Sequence, residues 1–147
     1  MFKKAIFGAL IISVTLLIGC ATVPMAPVEQ DSARKAFSQP TADKAGLYIF
    51  RTSGVGSALT KRVYVDGVLL GETAPKTFFY KEVTSGQHQI STQSEFSDNA
   101  ITFQAEVGKN YFARQYIKMG VFVGGANLEM VPEQEGMEEV RKCGLAK

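Results

Sequence analysis

The stretch VYVDGVLLGETAPKTFFYKEVTSGQHQIS, residues 63–91, decides the fold because it joins several strand-like runs through tight turns. Asp66 and Gly67 stand between two valines, and an Asp-Gly pair in that setting is a strong signal of a two-residue β-hairpin turn. Gly86 marks the next turn, between KTFFYKEV and HQISTQS. Short runs bounded by turn residues are typical of strands rather than helices. The region therefore predicts consecutive antiparallel strands.

The same pattern continues on both sides of this stretch, over residues 45–131. GLYIFRT precedes it, and NAITFQAEV, NYFARQYIKMGVFV and ANLEMV follow it. The Gly124-Gly125 pair predicts a second two-residue turn before the last of these runs. Seven or eight strands at a spacing of about ten residues predict an all-β fold, a small antiparallel β-sandwich.

The last segment of the chain predicts one C-terminal helix. Pro132 suits the first helical position, and Glu133 and Glu135 lie where the helix dipole favours anions. Gly144 is a suitable residue to follow the last helical turn. We expect this helix to pack on the sandwich and to cover an edge strand.

The N-terminus combines two lysines with an apolar run over residues 5–19. A helix that crosses a bilayer needs about 20 apolar residues, so this run is too short and is typical of a secretory signal. It ends in Leu17-Ile18-Gly19-Cys20, which resembles the lipobox of bacterial lipoproteins. The resemblance implies a diacylglyceryl group on the Cys20 thiol, cleavage before Cys20 and acylation of the new amine. The alternative is an ordinary signal peptide with a chance cysteine.

The predicted anchor also indicates a location. Two or three acyl chains hold a protein on a bilayer without any transmembrane helix. Ala21 follows Cys20, whereas an Asp there often retains lipoproteins of Gram-negative bacteria in the inner membrane. The alanine resembles the default, which is export to the outer membrane with the domain facing the periplasm. The inner membrane is the alternative.

The chain divides into three predicted segments. Residues 1–19 are the signal peptide, residues 20–44 the lipidated cysteine with a linker, and residues 45–147 the sandwich with its helix. The linker is rich in proline and small polar residues, which predicts a flexible tether. Within it, VEQDSARKAF follows Pro27 and is compatible with a short helix.

Charge and cysteine content narrow the classes of partner and site. Removal of residues 1–19 leaves 14 of the 16 basic residues, equal in number to the 14 acidic ones. A neutral domain without a basic cluster argues against nucleic acid as a partner. With Cys20 lipidated, Cys143 has no second cysteine to pair with, so it is either a buried structural residue or a thiol linked to a partner. With one histidine and no zinc-like spacing, we expect no metal site and no cofactor.

The quoted stretch resembles the strand, turn and strand module of PEGA-type and transthyretin-like small β-sandwiches. Together with RTSGVGSAL, SEFS and ARQYIKMGVFVGGANLEMV, it gives residues 45–146 a resemblance to the bacterial lipoprotein family named domain of unknown function 2846. The run RQYIKMGVFVGG is the most specific part. The resemblance implies a β-sandwich on an envelope lipoprotein, and it implies no established activity.

One group of candidate contact residues is cationic. Strand alternation over residues 111–123 brings Arg114, Tyr116 and Lys118 to one face. Arg51 ends another strand, and if the two strands are neighbours, these residues form a small anion-binding patch framed by aromatic rings. The alternative pairs each cation with a carboxylate on a solvated face, for example Glu82, Glu95 or Asp98.

A second group is apolar. Val121, Phe122 and Val123 form an uncharged run at the tip of a predicted hairpin. If this run is exposed, it marks a contact with a partner or a membrane, and if it packs under the C-terminal helix, it is core. The sequence leaves both alternatives open. The glycine-rich segment SGVGSALTKR, residues 53–62, is either a plain connection or a ligand-contacting loop.

The search for catalytic residues yields no constellation. His88 is the single histidine, and its strand position predicts a half-buried structural role. A Ser-His-Asp hydrolase would need Ser53, Ser57 or Ser91 beside it, and none stands in a nucleophile motif. We therefore interpret the chain as a membrane-anchored envelope lipoprotein that serves as a non-enzymatic binding or structural module in the periplasm, with another envelope protein or a glycan as its expected partner. The alternative is a module for a small ligand, a glycan or an anionic headgroup, bound through the cationic group.

Overall fold

The computed structural model describes residues 19–52 and 54–147. The apolar run and most of the predicted signal peptide, residues 1–18, lie outside the described residues, as does Ser53. Among the helices that the structure describes, none is both long and apolar enough to cross a bilayer.

Two packed sheets form the body of the described chain, which confirms the all-β sandwich. One sheet has five strands, β1 (Ala45–Arg51), β4 (Thr77–Val83), β7 (Asn110–Lys118), β8 (Gly125–Val131) and β9 (Gly144–Leu145). The other has four strands, β2 (Lys61–Val65), β3 (Val68–Thr73), β5 (Gly86–Thr92) and β6 (Asn99–Ala105). The strand orders are β8-β7-β1-β4-β9 and β3-β2-β5-β6.

The five-stranded sheet is mixed rather than purely antiparallel. Strands β1 and β7 are parallel, as are β4 and β9. A long stretch of chain separates the members of each pair, which leaves room for the crossover that parallel pairing needs. The Asp66-Gly67 hairpin is confirmed, with φ angles of 51° and 77° that suit a two-residue turn. The predicted Gly124-Gly125 turn is wrong, since Gly125 already pairs with Lys118 and residues 119–124 form the loop.

The main core lies between the two sheets. Strand β1 is buried along its whole length, because one face meets this core and the other meets a second apolar layer. The fully or nearly buried apolar side chains of the main core include Leu47, Ile49, Val63, Val65, Ile90, Phe103, Ala113 and Leu128. Their alternate positions along each strand follow the period of two that the sequence displays.

The second layer lies on the outer face of the five-stranded sheet, under helix α2 (Glu133–Arg141). Val140 and Cys143 are buried there against Phe112 and its neighbours. The C-terminal helix is thus confirmed, but it crosses β7 and β1 instead of an edge strand. Gly144 does not end the helix. It belongs to β9, where its N–H donates to the carbonyl oxygen of Lys76 at 2.9 Å.

The segment predicted as a flexible tether is packed onto the same face. Its short helix is confirmed as α1 (Val28–Lys35), which begins after Pro27. Further along, the Phe37 ring lies 5.4 Å from the ring of Tyr48, and Thr41 donates to the Glu82 carboxylate. The N–H of Ala26 donates to the carbonyl oxygen of Leu145, so the segment also covers the β9 edge. These aromatic and backbone contacts explain why a proline-rich composition does not produce a free coil here.

Candidate functional site

One end of the described sandwich gathers most of the candidate residues, and we call it the loop end. Strand register places four connections there, residues 54–60, 74–76, 93–98 and 119–124. Pairing of Arg51 with Thr77 and the parallel run of β1 with β7 fix this arrangement. The hairpin at residues 66–67 and the turn at residues 106–109 lie at the opposite end.

Arg51 is not a surface cation. Its side chain is fully buried, and its guanidinium donates to the carbonyl oxygens of Leu59 at 2.7 Å and Gly56 at 2.8 Å, with a longer contact to Val55. Burial lowers the pKa of this guanidinium. The arginine therefore holds the 54–60 loop against the end of β1, and its charge does not reach solvent as an anion-binding group would need.

Arg114 is committed to two carboxylates. It donates to Glu129 on β8 at 2.8 Å and to Glu135 on α2. The pKa of Arg114 is raised, and the hydrogen bond to Glu135 is the largest cause. The pairing alternative therefore describes Arg114 correctly, although with other carboxylates than the sequence suggested. Because both partners lie on neighbouring elements, this arginine joins the C-terminal helix to the sheet.

Tyr116 and Lys118 follow Arg114 along the strand but do not complete a patch. The Tyr116 hydroxyl accepts a hydrogen bond from the Asn127 amide at 3.0 Å. Lys118 is exposed at the base of the 119–124 loop, where it lines a cleft of about 250 Å³ with Glu95 and Asn99. The structure thus separates Arg51, Arg114 and Lys118 into three different environments, and the predicted anion-binding patch is not formed.

The apolar run at residues 121–123 is exposed, so the core alternative is wrong. Phe122 is 84% exposed, and Met119, Val121 and Val123 are exposed as well. Phe96, in the neighbouring 93–98 loop, is 77% exposed. We call these five side chains the apolar tip. No charged residue stands between Lys118 and Glu129, so the 119–124 loop is itself uncharged, whereas Phe96 lies between Glu95 and Asp98 in its own loop.

A set of solvent-accessible hydrogen bonds to one carboxylate holds the backbone of the tip. The Glu95 carboxylate accepts from the N–H groups of Val121 at 2.6 Å, Val123 at 3.3 Å and Phe122. These hydrogen bonds lower the pKa of the Glu95 carboxyl, and the bond from Phe122 has the largest effect. Sequence reasoning proposed Glu95 only as a partner for cations. Its actual role depends on a loop 26 residues away, and no local pattern indicates such a contact.

The predicted lipidation site lies at the same end of the molecule. Cys20 is exposed, and the N–H of the next residue, Ala21, donates to the carbonyl oxygen of Ser57 at 2.7 Å. Ser57 belongs to the 54–60 loop, where a Cβ added at Gly56 would stand 2.9 Å from the Ile117 side chain near the end of β7. Cys20 therefore stands one residue before the point where the chain is bonded to the loop end, without a flexible spacer between Ala21 and the body.

His88 lies at the opposite end and has a structural environment. Its Nδ1 is 2.6 Å from the Asp66 carboxylate and its Nε2 is 2.8 Å from the carbonyl oxygen of Thr84. Both neighbours only accept, so this geometry fits an imidazolium that donates from both nitrogens. Burial alone would lower the pKa of His88, but the hydrogen bonds to Asp66 and Thr84 outweigh it and raise the pKa. Neither nitrogen is left to activate Ser57 or Ser91.

Cys143 is buried rather than displayed. Its thiol donates to the carbonyl oxygen of Arg51 at 3.7 Å, and burial raises its pKa to about 12. A neutral thiol in this position is a poor nucleophile. Among the described residues, no three acidic, histidine or cysteine side chains cluster in a way that could hold a metal ion.

Comparisons with known proteins agree with the resemblance drawn from the sequence. The family described as "Protein of unknown function (DUF2846)" matches residues 41–126. A protein of Haemophilus influenzae strain Rd, described as uncharacterized, is 52% identical over 147 residues, which covers 99% of this chain and 88% of the relative. No solved structure matches the chain.

Proposed function

Because this chain belongs to the DUF2846 family of proteins of unknown function, we propose its function from its own residues: a lipid-anchored protein of the bacterial envelope that serves as a non-enzymatic binding or structural module. The observation that carries the proposal is the tetrapeptide Leu17-Ile18-Gly19-Cys20 at the end of a short apolar run. The thiol at the exit of that run is the group that a lipoprotein modification requires.

The accessibility of Cys20 supports this anchor. Cys20 is exposed, whereas Cys143 is buried and has a strongly raised pKa, so the two thiols differ in their availability for acylation. Each buried methylene of an acyl chain contributes about 0.8 kcal/mol, and stable attachment takes two chains or more. Ala21 at the following position favours the outer membrane, with the domain in the periplasm.

A non-enzymatic role is supported by how the reactive side chains are used. His88 is bonded at both ring nitrogens, Cys143 is sequestered, and Arg51 and Arg114 stabilise the fold. The exposed features at the loop end include the apolar tip and a cleft lined by Lys118. Such surfaces fit contact with another envelope component better than they fit covalent chemistry.

The anchor is tested by exchanging each cysteine in turn in a Gram-negative host. Wild-type protein and Cys143→Ala should incorporate a labelled fatty acid and sediment with membranes, whereas Cys20→Ser should do neither. Cys143→Ala is the matched control, because it removes the other thiol of the chain. Equal labelling and sedimentation of Cys20→Ser and wild type would refute the proposed anchor.

A further inference from the structure

The apolar tip and the predicted acylation site share one end of the molecule, which raises the question of what that end faces. Met119, Val121, Phe122 and Val123 project from one loop, and Phe96 projects from the loop beside it. Exposed apolar groups that are contiguous mark a contact surface more often than isolated ones do. A surface of this kind has two general classes of occupant, a protein or a lipid bilayer.

The position of Cys20 favours the bilayer. The hydrogen bond from Ala21 to Ser57 attaches the chain to the 54–60 loop one residue after the cysteine. One residue spans at most about 3.6 Å, so an acylated Cys20 would hold this loop close to the headgroups. The 119–124 loop lies beside it, since the Leu59 side chain is 2.8 Å from the place where a Cβ on Gly124 would stand. The acyl chains and the tip would then point toward the same surface.

The hydrogen bonding of the tip also suits a lipid environment. A backbone N–H that enters lipid without a partner is costly, because water is no longer there to accept its hydrogen bond. The Glu95 carboxylate already accepts from the N–H groups of Val121, Phe122 and Val123. The loop can therefore present apolar side chains outward while its backbone donors stay satisfied from behind.

We propose that the apolar tip inserts into the interfacial region of the bilayer that holds the acyl chains, so that the protein is fixed to the membrane at two points and its loop end faces the lipid. This inference rests on the proposed lipid anchor at Cys20. Interfacial insertion of this kind reaches about 5–10 Å into the headgroup and acyl boundary. The anchor at Cys20 brings the loop end close to the lipid, and insertion of the tip adds the second point of attachment that fixes the orientation.

The absence of tryptophan from the chain makes a direct test available. A single tryptophan is introduced by Phe122→Trp at the tip or by Val107→Trp at the opposite end. The native Val107 side chain is exposed too, at 51%. The protein as it is processed in a Gram-negative host is purified and reconstituted into vesicles of phosphatidylethanolamine and phosphatidylglycerol with brominated acyl chains. We expect quenching of the Phe122→Trp emission at least about twofold stronger than that of Val107→Trp, with a blue shift for the tip reporter alone.

Two further arms make the outcome decisive. Glu95→Ala in the Phe122→Trp background should reduce quenching, because it frees three N–H groups of the tip. Met119→Trp, at a side chain that is 90% exposed, repeats the test if Phe122→Trp does not fold. Equal quenching at both ends would overturn the proposal. A blue shift that grows with protein density but not with brominated lipid would also overturn it, in favour of contact between two copies.

The intact mass of the protein in the same reconstituted sample distinguishes a failure of the proposed anchor from a failure of tip insertion. If the acyl groups are present on Cys20 and the tip reporter is not quenched, insertion of the tip is refuted and the anchor stands. If the acyl groups are absent, the proposed anchor is refuted and the inference is refuted with it.

Discussion

Gly136→Ala should destabilise the protein, although the substitution favours the helix itself. Glycine in a helix interior costs about 1 kcal/mol relative to alanine, so helix propensity alone predicts a gain. However, a Cβ at position 136 would stand 2.2 Å from Cγ and 2.3 Å from Cβ of Phe112. Non-bonded carbon atoms need about 3.5–4.0 Å, so the contact is too short by more than about 1 Å.

The helix rather than the phenylalanine must move. Phe112 is 1% exposed on a central strand, and its ring stacks on Tyr48 at 4.9 Å. A retreat of α2 by about 1 Å would forfeit a quarter to a half of the dispersion contacts beneath it. Val140 and Cys143 are buried and Met137 is partly buried. At about 1.5–3 kcal/mol for each side chain when fully buried, the loss is about 1–4.5 kcal/mol, with a middle value of about 3 kcal/mol. After the gain in propensity, the net cost is about 2 kcal/mol.

Urea and thermal unfolding followed by far-ultraviolet circular dichroism measure this cost. For a domain of this size, a loss of about 2 kcal/mol lowers Tm by about 8 °C. Glu138→Ala, at an exposed position on the same helix, is the matched control and should change the free energy of unfolding by less than about 0.5 kcal/mol. An unchanged or raised Tm for Gly136→Ala would contradict the packing of α2 on Phe112.

Three further outcomes are expected. The folded-state pKa of His88 is raised, so the stability that His88 contributes is complete below its ordinary pKa of about 6.5 and is lost as pH rises through the folded-state pKa. The difference in free energy of unfolding between wild type and His88→Gln should therefore shrink as pH rises between these two pKa values. A difference that does not change with pH would argue against an imidazolium. In Cys20→Ser, the remaining thiol of Cys143 should react with iodoacetamide only after unfolding, and rapid labelling of the native protein would contradict its burial. Arg51→Met should speed amide exchange in residues 54–59 by about tenfold or more, measured by mass spectrometry, whereas exchange in the 106–109 turn should stay unchanged.

The strand content was open to prediction because its causes are local. The Asp66-Gly67 turn depends on two residues that tolerate positive φ, and the alternation along β7 follows from the strand period alone. The two helices likewise follow from Pro27 and Pro132 at their starts. These signals lie within a few residues of the structure they determine.

Apart from the local Gly124-Gly125 turn, the features that the sequence did not disclose depend on contacts between distant parts of the chain. The 21–43 segment has the composition of a linker, but the Phe37 ring packs against Tyr48 and Phe112 on the outer face of the five-stranded sheet. The sequence alone does not show that this face is available for packing. Gly136 is unfavourable in a helix when taken alone, and only the approach of Phe112 explains it. Gln115 shows the same limit, because its burial depends on hydrogen bonds to Thr73 and Thr92 from two strands of the opposite sheet.

The candidate site was predictable in part for the same reason. Exposure of residues 121–123 could be stated only as one of two alternatives, since it depends on where α2 packs. The assignment of Arg51 to a surface failed because strand-end arginines are usually solvated, whereas here the 54–60 loop folds over the guanidinium. The sequence identifies Glu95 as a possible partner for a cation, but its role as an acceptor for the backbone of the tip depends on a contact that the sequence does not reveal.

The central claim is that Cys20 carries the membrane anchor, and the intact mass of the protein isolated from a Gram-negative envelope tests it most directly. The account predicts a chain that begins at Cys20 and carries a diacylglyceryl group and an N-acyl chain. A chain of any length whose Cys20 thiol is unmodified would contradict it.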